Sequence, residues 1–147
     1  MKKNTIAITS ASFDPINYAH IDLIERAASF ANKLILVVGS DPKKKYLFSE
    51  EERIKMVFDS TRPISEKHNC DILVKQPEGD FIEFAEKMNA NIIVRRVLNI
   101  SQFDYETIVT AENNLLNNKI QTLLFPAFLE KQFISQSTVQ KRARINS

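Results

Sequence analysis

Five short apolar runs, each followed by a stretch with helical spacing, constrain this 147-residue chain more than any other feature. "TIAIT" (Thr5–Thr9) reads as a first strand, and Ile21, Ile24, Ala28 and Ala31 then fall on one face of a helix. "KLILVVG" (Lys33–Gly39) is continuous and rich in branched residues, as a strand buried on both faces should be. "SEEER" opens a second helix, with Ser49 as cap and Glu52 three residues on completing a capping box. "CDILV" (Cys70–Val74) is a third strand, and Phe81, Phe84, Ala85 and Met88 make the stripe of a third helix. "ANIIV" (Ala90–Val94) is a fourth strand. A helix over roughly 100–117 follows it, with Ile108, Ala111 and Leu115 expected on the inner face. "IQTLLF" (Ile120–Phe125) is the fifth strand, and a short last helix is expected near Ser137. Such alternation predicts right-handed crossovers and a single α/β domain over the whole chain. Its expected core is a Rossmann-like, doubly wound, five-stranded parallel sheet with helices on both faces.

Composition sets limits on what that domain does. An apolar fraction of 44% and a charged fraction of 26% are ordinary for a globular protein. The net charge of +2, from 20 basic and 18 acidic residues interspersed along the chain, gives no nucleic-acid footprint. The "KRAR" cluster at Lys141–Arg144 reads as a solvated helix face. A single cysteine, Cys70, excludes an internal disulfide and reads as a buried, inert thiol. With no membrane-length apolar run and no apolar signal region at the N-terminus, a cytoplasmic location is expected.

In a doubly wound sheet, ligands bind beyond the carboxyl ends of the strands. After the first strand come Ser10, Ser12 and then His20 at a helix start, where free N–H groups favour anions. Ser12 and Asp14 read equally as turn or cap residues. "DPKKKYLF" follows the second strand, and its lysines read alone as solvated surface. "RRVLN" follows the fourth strand, where Arg95 and Arg96 leave a buried strand and require a partner such as phosphate. "FISQS" follows the fifth, with Ser135 and Ser137 reading equally as helix caps or anion donors. Lysine, arginine, histidine and hydroxyl groups thus converge on one sheet edge. No metal-ligand set or Ser-His-Asp order accompanies them. The expected site holds a nucleoside triphosphate and a second phosphorylated ligand, with catalysis by positioning and charge stabilisation.

Taken together, "SFDPINYAH", "DPKKKYLFSEEER", "IIVRRVLNISQFDYE" and "FISQSTV" resemble bacterial phosphopantetheine adenylyltransferase, a nucleotidyltransferase family. The resemblance implies adenylyl transfer from ATP to 4′-phosphopantetheine with Mg²⁺, giving dephospho-coenzyme A and pyrophosphate. It also implies a homohexamer and coenzyme A as a feedback ligand, with no nucleic-acid or membrane partner. It makes His20, Lys44, Arg95 and Ser12 catalytic. It assigns ATP contacts to Ser12, Phe13, His20, Glu106, Ser135 and Ser137, to which Arg96 is added from its place after the fourth strand, and acceptor contacts to Ser12, Lys44, Phe81 and Arg95.

The departures from the family pattern fall inside the site. Ala11, Ala19 and Arg96 stand where glycine is usual, Leu98 where a second arginine is usual, and Gln102 where an acid is usual. A Cβ on a phosphate loop crowds the ligand or shifts the backbone. Two alternatives therefore stand beside the active enzyme. One is a catalytically weakened relative that binds nucleotide or pantetheine, or serves in assembly. The other is a nucleotidyltransferase for another acceptor, such as nicotinate mononucleotide.

Overall fold

The computed structural model describes residues 4–126. The basic cluster, Ser135, Ser137 and the expected last helix lie outside the described residues. Five strands, β1 (Ile6–Ala11), β2 (Lys33–Val38), β3 (Asp71–Lys75), β4 (Ile92–Val97) and β5 (Gln121–Pro126), form one sheet in the order β3-β2-β1-β4-β5. Every pairing is parallel. Four helices make the crossovers: α1 (Tyr18–Ala28), α2 (Glu50–His68), α3 (Phe81–Lys87) and α4 (Ile100–Leu116). The doubly wound α/β architecture expected from the sequence is the one observed.

Strand parity explains the layers. Ala7, Leu34, Leu36 and Val94 pack on one face with Ile24 and Ala28 of α1 and Val57 and Ile64 of α2. The intervening residues Ile8, Ile35, Val37 and Ile93 point the other way, onto Ile82, Phe84 and Ala85 of α3. Cys70 is buried, as the sequence suggested. Among the described residues no helix is long and apolar enough to cross a membrane.

Helix α2 starts as its sequence predicts. The Glu52 N–H donates to Ser49 Oγ at 3.1 Å, and the Ser49 N–H donates to Glu52 Oε1 at 3.2 Å. Ser49→Ala removes the cap acceptor and is expected to cost about 1 kcal/mol, read as a lowered denaturation midpoint. A cost indistinguishable from zero would mean that tertiary packing alone holds this end.

Helix α4 corrects the sequence reading. Ile108, Ala111 and Leu115 do not face the core: all three are exposed, Leu115 at 88%. The buried residue of α4 is Glu106, which pairs with Arg95 of β4. At about 100° per residue, Ile108 lies roughly 200° and Leu115 roughly 180° around the helix from Glu106. Turning the carboxylate inward therefore turns the aliphatic stripe outward. A strand-end arginine in need of a counter-charge has overridden the apolar pattern.

β1 pairs with β2 over six residues but with β4 over only two, Ala7↔Ile92 and Ile8↔Ile93. Beyond Ile8 the two strands part. This is also where the strand order reverses, since the chain runs outward through β2 and β3 and then returns to the far side of β1. The splayed strand ends open a crevice at that switch point.

Candidate functional site

The crevice is a cleft of about 350 Å³ lined by residues of β1, α1, β4 and α4, Ser12, His20, Arg95 and Arg96 among them. Its geometry starts with the way α1 begins. The Asn17 side chain accepts from the Ala19 and His20 N–H groups at 3.0 and 3.1 Å, capping the helix. In return the Asn17 N–H donates to Nδ1 of His20 at 3.1 Å. His20 thus fills the position that Glu or Gln takes in an ordinary capping box. The "NYAH" spacing carried that signal, and the sequence reading passed over Asn17.

This bond fixes the chemistry of the imidazole. A nitrogen that accepts carries no proton, so the neutral ring holds its proton on Nε2. Burial pushes the His20 pKa down from 6.5 to about 3, and the nearby positive charge of Arg96 adds to the effect. The ring is therefore a neutral N–H donor across the physiological range. Phe13 packs against it with ring centroids 4.8 Å apart. Phe13 itself sits at φ +49°, in the left-handed region that residues with a side chain rarely adopt. Strain of this kind, on the order of 1–3 kcal/mol, persists where surrounding contacts hold the backbone.

Those contacts come from Arg53 and Asp14. Arg53 of α2 is 1% exposed. Its Nη1 donates to the carbonyls of Ser12 (2.8 Å) and Gly39 (2.7 Å), its Nε to Phe48 O and its Nη2 to Ser40 Oγ. The Tyr46 ring stacks on the guanidinium at 4.1 Å. Asp14 is buried and accepts from the Leu47 and Phe48 N–H groups at 2.6 and 2.8 Å. The β1–α1 and β2–α2 loops are thereby stitched together. Asp14 is a structural acceptor, while Arg53 was not singled out from sequence at all.

The two arginines of β4 differ. Arg95 donates through Nε and Nη2 to the Glu106 carboxylate at 3.1–3.3 Å, and through Nη1 to the carbonyl and hydroxyl of Ser10 at 2.9 and 3.2 Å. It bridges the splayed ends of β1 and β4. Arg96 lies nearer α1, and its buried Nη1 makes no hydrogen bond among the described residues. Burial, and then the charge of Arg95, lower its pKa, an effect that Asp22 opposes.

Of the other candidates, Gln102 and Glu106 line the cleft, while Lys44, Phe81 and Leu98 lie outside it. Lys44 is exposed on the β2–α2 loop and does not line the cleft. Phe81 lines a second cavity of about 220 Å³ on the α3 side, which shares Ser10 with the first. Gln102 is engaged at the start of α4, accepting from the Leu98 N–H at 2.7 Å. Leu98 is half-buried and does not line the cleft. Among the described residues Glu106 is the one carboxylate on the cleft wall, and Arg95 occupies both its oxygens. No group of three or more His, Cys, Asp or Glu residues with metal-binding geometry occurs among the described residues. The described residues thus offer no ready protein ligand set for the Mg²⁺ that the resemblance implies.

A switch-point cleft walled by a neutral imidazole donor and guanidinium groups suits an anionic ligand such as a nucleotide. Comparison with solved structures agrees on the fold. Plasmodium falciparum nicotinic acid mononucleotide adenylyltransferase, solved with NaAD, matches with a TM-score of 0.64 at 18% identity, covering 95% of this chain and 83% of that one. A putative nicotinate-nucleotide adenylyltransferase from Vibrio parahaemolyticus matches at 0.61 and 14%, covering 99% and 81%. A lipopolysaccharide core biosynthesis protein from Thermoplasma volcanium matches at 0.62 and 19%, covering 84% and 98%. The cytidylyltransferase-like family model matches residues 8–142, nearly the whole chain and every element of the cleft, so the chain belongs to the cytidylyltransferase-like family of nucleotidyltransferases.

Proposed function

We propose that the chain transfers an adenylyl group from ATP to 4′-phosphopantetheine, releasing pyrophosphate and forming dephospho-coenzyme A. The observation that carries the transfer chemistry is the neutral His20, held as an Nε2–H donor in the same cleft as Arg96 with its unpaired Nη1. An acceptor phosphate oxygen attacks the α-phosphorus, and the bond to the bridging oxygen of the leaving pyrophosphate breaks. A phosphate whose second pKa is about 6 is already largely ionised at pH 7, so the step needs no general base. That fits a cleft whose only carboxylate among the described residues is committed to Arg95. The work left for the protein is orientation and donation to charge that builds on the α-phosphate oxygens. Mg²⁺ would arrive on the triphosphate, a common mode for this ion. The choice of acceptor rests on the resemblance carried by "DPKKKYLFSEEER" and "FISQSTV".

One observation favours a second reading. Of the basic residues assigned to the acceptor phosphate, Lys44 lies outside the cleft and Arg95 is neutralised by Glu106. A relative with another acceptor, or one that binds without turnover, would have little use for either. Pyrophosphate release from ATP and Mg²⁺, measured with 4′-phosphopantetheine and separately with nicotinate mononucleotide, separates these readings. Release with 4′-phosphopantetheine alone is the expected result. Release only with nicotinate mononucleotide would reassign the acceptor, and release with neither would leave a binding protein.

A further inference from the structure

Two consecutive guanidinium groups stand at the open end of β4, and the fold treats them differently. Neighbouring strand residues point to opposite faces, which sends Arg95 toward α4 and Arg96 toward α1. Each nitrogen of Arg95 has an acceptor within the protein, on Glu106 or Ser10. Its charge is cancelled before any ligand arrives. Arg96 keeps a buried Nη1 with no acceptor among the described residues, beside a second positive charge. Asp22, the carboxylate that acts on it, already forms an ion pair with Arg26 Nη2 at 3.2 Å.

Leaving a buried guanidinium donor unmatched is unfavourable unless something else supplies the acceptor. Arg96 and His20 line the same cleft. His20 Nδ1 is turned back onto the start of α1, so Nε2–H is the donor left for a ligand. A polyphosphate supplies the missing acceptors in the geometry that a planar guanidinium prefers.

We propose that Arg96, and not Arg95, is the guanidinium that binds the nucleotide's phosphates, while the Arg95–Glu106 pair is a strut that fixes the β4–α4 junction. The ligand's identity as a nucleotide rests on the function proposed above; the division of roles between the arginines does not. The crevice is then asymmetric. Its free positive charge lies on the α1 side with His20, and its α4 side is electrically satisfied.

The test is calorimetric binding of inorganic tripolyphosphate, at one fixed salt concentration, to the wild-type chain and to Arg96→Gln, Arg96→Lys, Arg95→Gln and Glu106→Gln. Arg96→Gln is expected to weaken binding at least tenfold, and Arg96→Lys several-fold, because lysine keeps the charge without the fork. Arg95→Gln should lower the melting temperature while changing affinity less than threefold. Glu106→Gln, which releases Arg95, should leave affinity equal or raise it. In folded Arg96→Gln the His20 ring should also titrate above its wild-type value by NMR, since a neighbouring positive charge is gone. If Arg96→Gln does not fold, Arg96→Lys alone decides by the same criterion. Unchanged affinity in the Arg96 variants, a larger loss in Arg95→Gln, or no tripolyphosphate binding by the wild type would overturn the assignment. Wild-type turnover alongside unchanged binding in Arg96→Gln would remove this assignment and leave the adenylyltransferase reading standing. Lost binding in Arg96→Gln with no wild-type turnover would do the reverse.

Discussion

His20→Ala is expected to lower the rate of pyrophosphate release by roughly 10²- to 10³-fold, the usual effect of removing one donor aimed at developing charge. KM for ATP should change far less, because the donor matters most in the transition state. The variant also carries a pH signature. The folded-state pKa of about 3 lies below the ordinary 6.5, so below pH 6.5 the unfolded chain takes up a proton that the folded chain refuses. This contribution to stability is complete above pH 6.5 and is lost as the pH falls toward 3. At about 1.4 kcal/mol per pH unit, it removes roughly 2 kcal/mol by pH 5. Urea midpoints at pH 7 and pH 5 should therefore fall more steeply for the wild type than for His20→Ala. Parallel slopes would mean that the ring is not buried neutral, and full turnover in the variant would remove His20 from the chemistry.

The largest loss of stability is expected at Arg53, a residue that does not line the cleft. Arg53→Ala leaves the carbonyls of Ser12, Gly39 and Phe48 without this donor and opens a void under Tyr46. Each buried carbonyl left unmatched in this way costs about 1–3 kcal/mol. Turnover should fall as well, because Ser12 and the strained Phe13 lose the bond that seats their loop. Arg53→Lys should recover only part of the stability, since an ammonium cannot reach four acceptors from one plane. Urea denaturation measures both variants, and a cost below about 1 kcal/mol for Arg53→Ala would show that water replaces the network.

The features read correctly from sequence are those set locally. Continuous branched runs gave the strands, because a strand buried on both faces leaves no room for polar residues. The Ser49 box needed only four residues to specify itself. What the sequence hid depends on distant partners. Arg53 sits among glutamates in "SEEER" and looks solvated, yet loops from β1 and β2 close over it. The stripe Ile108–Leu115 looks like a core face because periodicity reports that a helix is amphipathic, not which way it is turned. The orientation came from one ion pair between Arg95 and Glu106, whose partners are eleven residues apart. The cleft itself followed from topology. Ser12, His20, Arg95 and Arg96 were expected together because all follow strands at one sheet edge, and all four line it. Lys44 shared that logic, but it lies on a loop whose path the sheet does not dictate.

The carboxylate of Asp14 makes the β1–α1 and β2–α2 loops a single mechanical part. Its two oxygens hold the Leu47 and Phe48 amides, and Arg53 clamps the same two loops from below. The lysine-bearing β2–α2 loop cannot swing away from the loop that leads to His20 without breaking bonds buried at the root of both. Freedom in the β2–α2 loop is therefore left to its tip, between Asp41 and Tyr46, while its root moves only with the loop that carries Ser12 and Phe13.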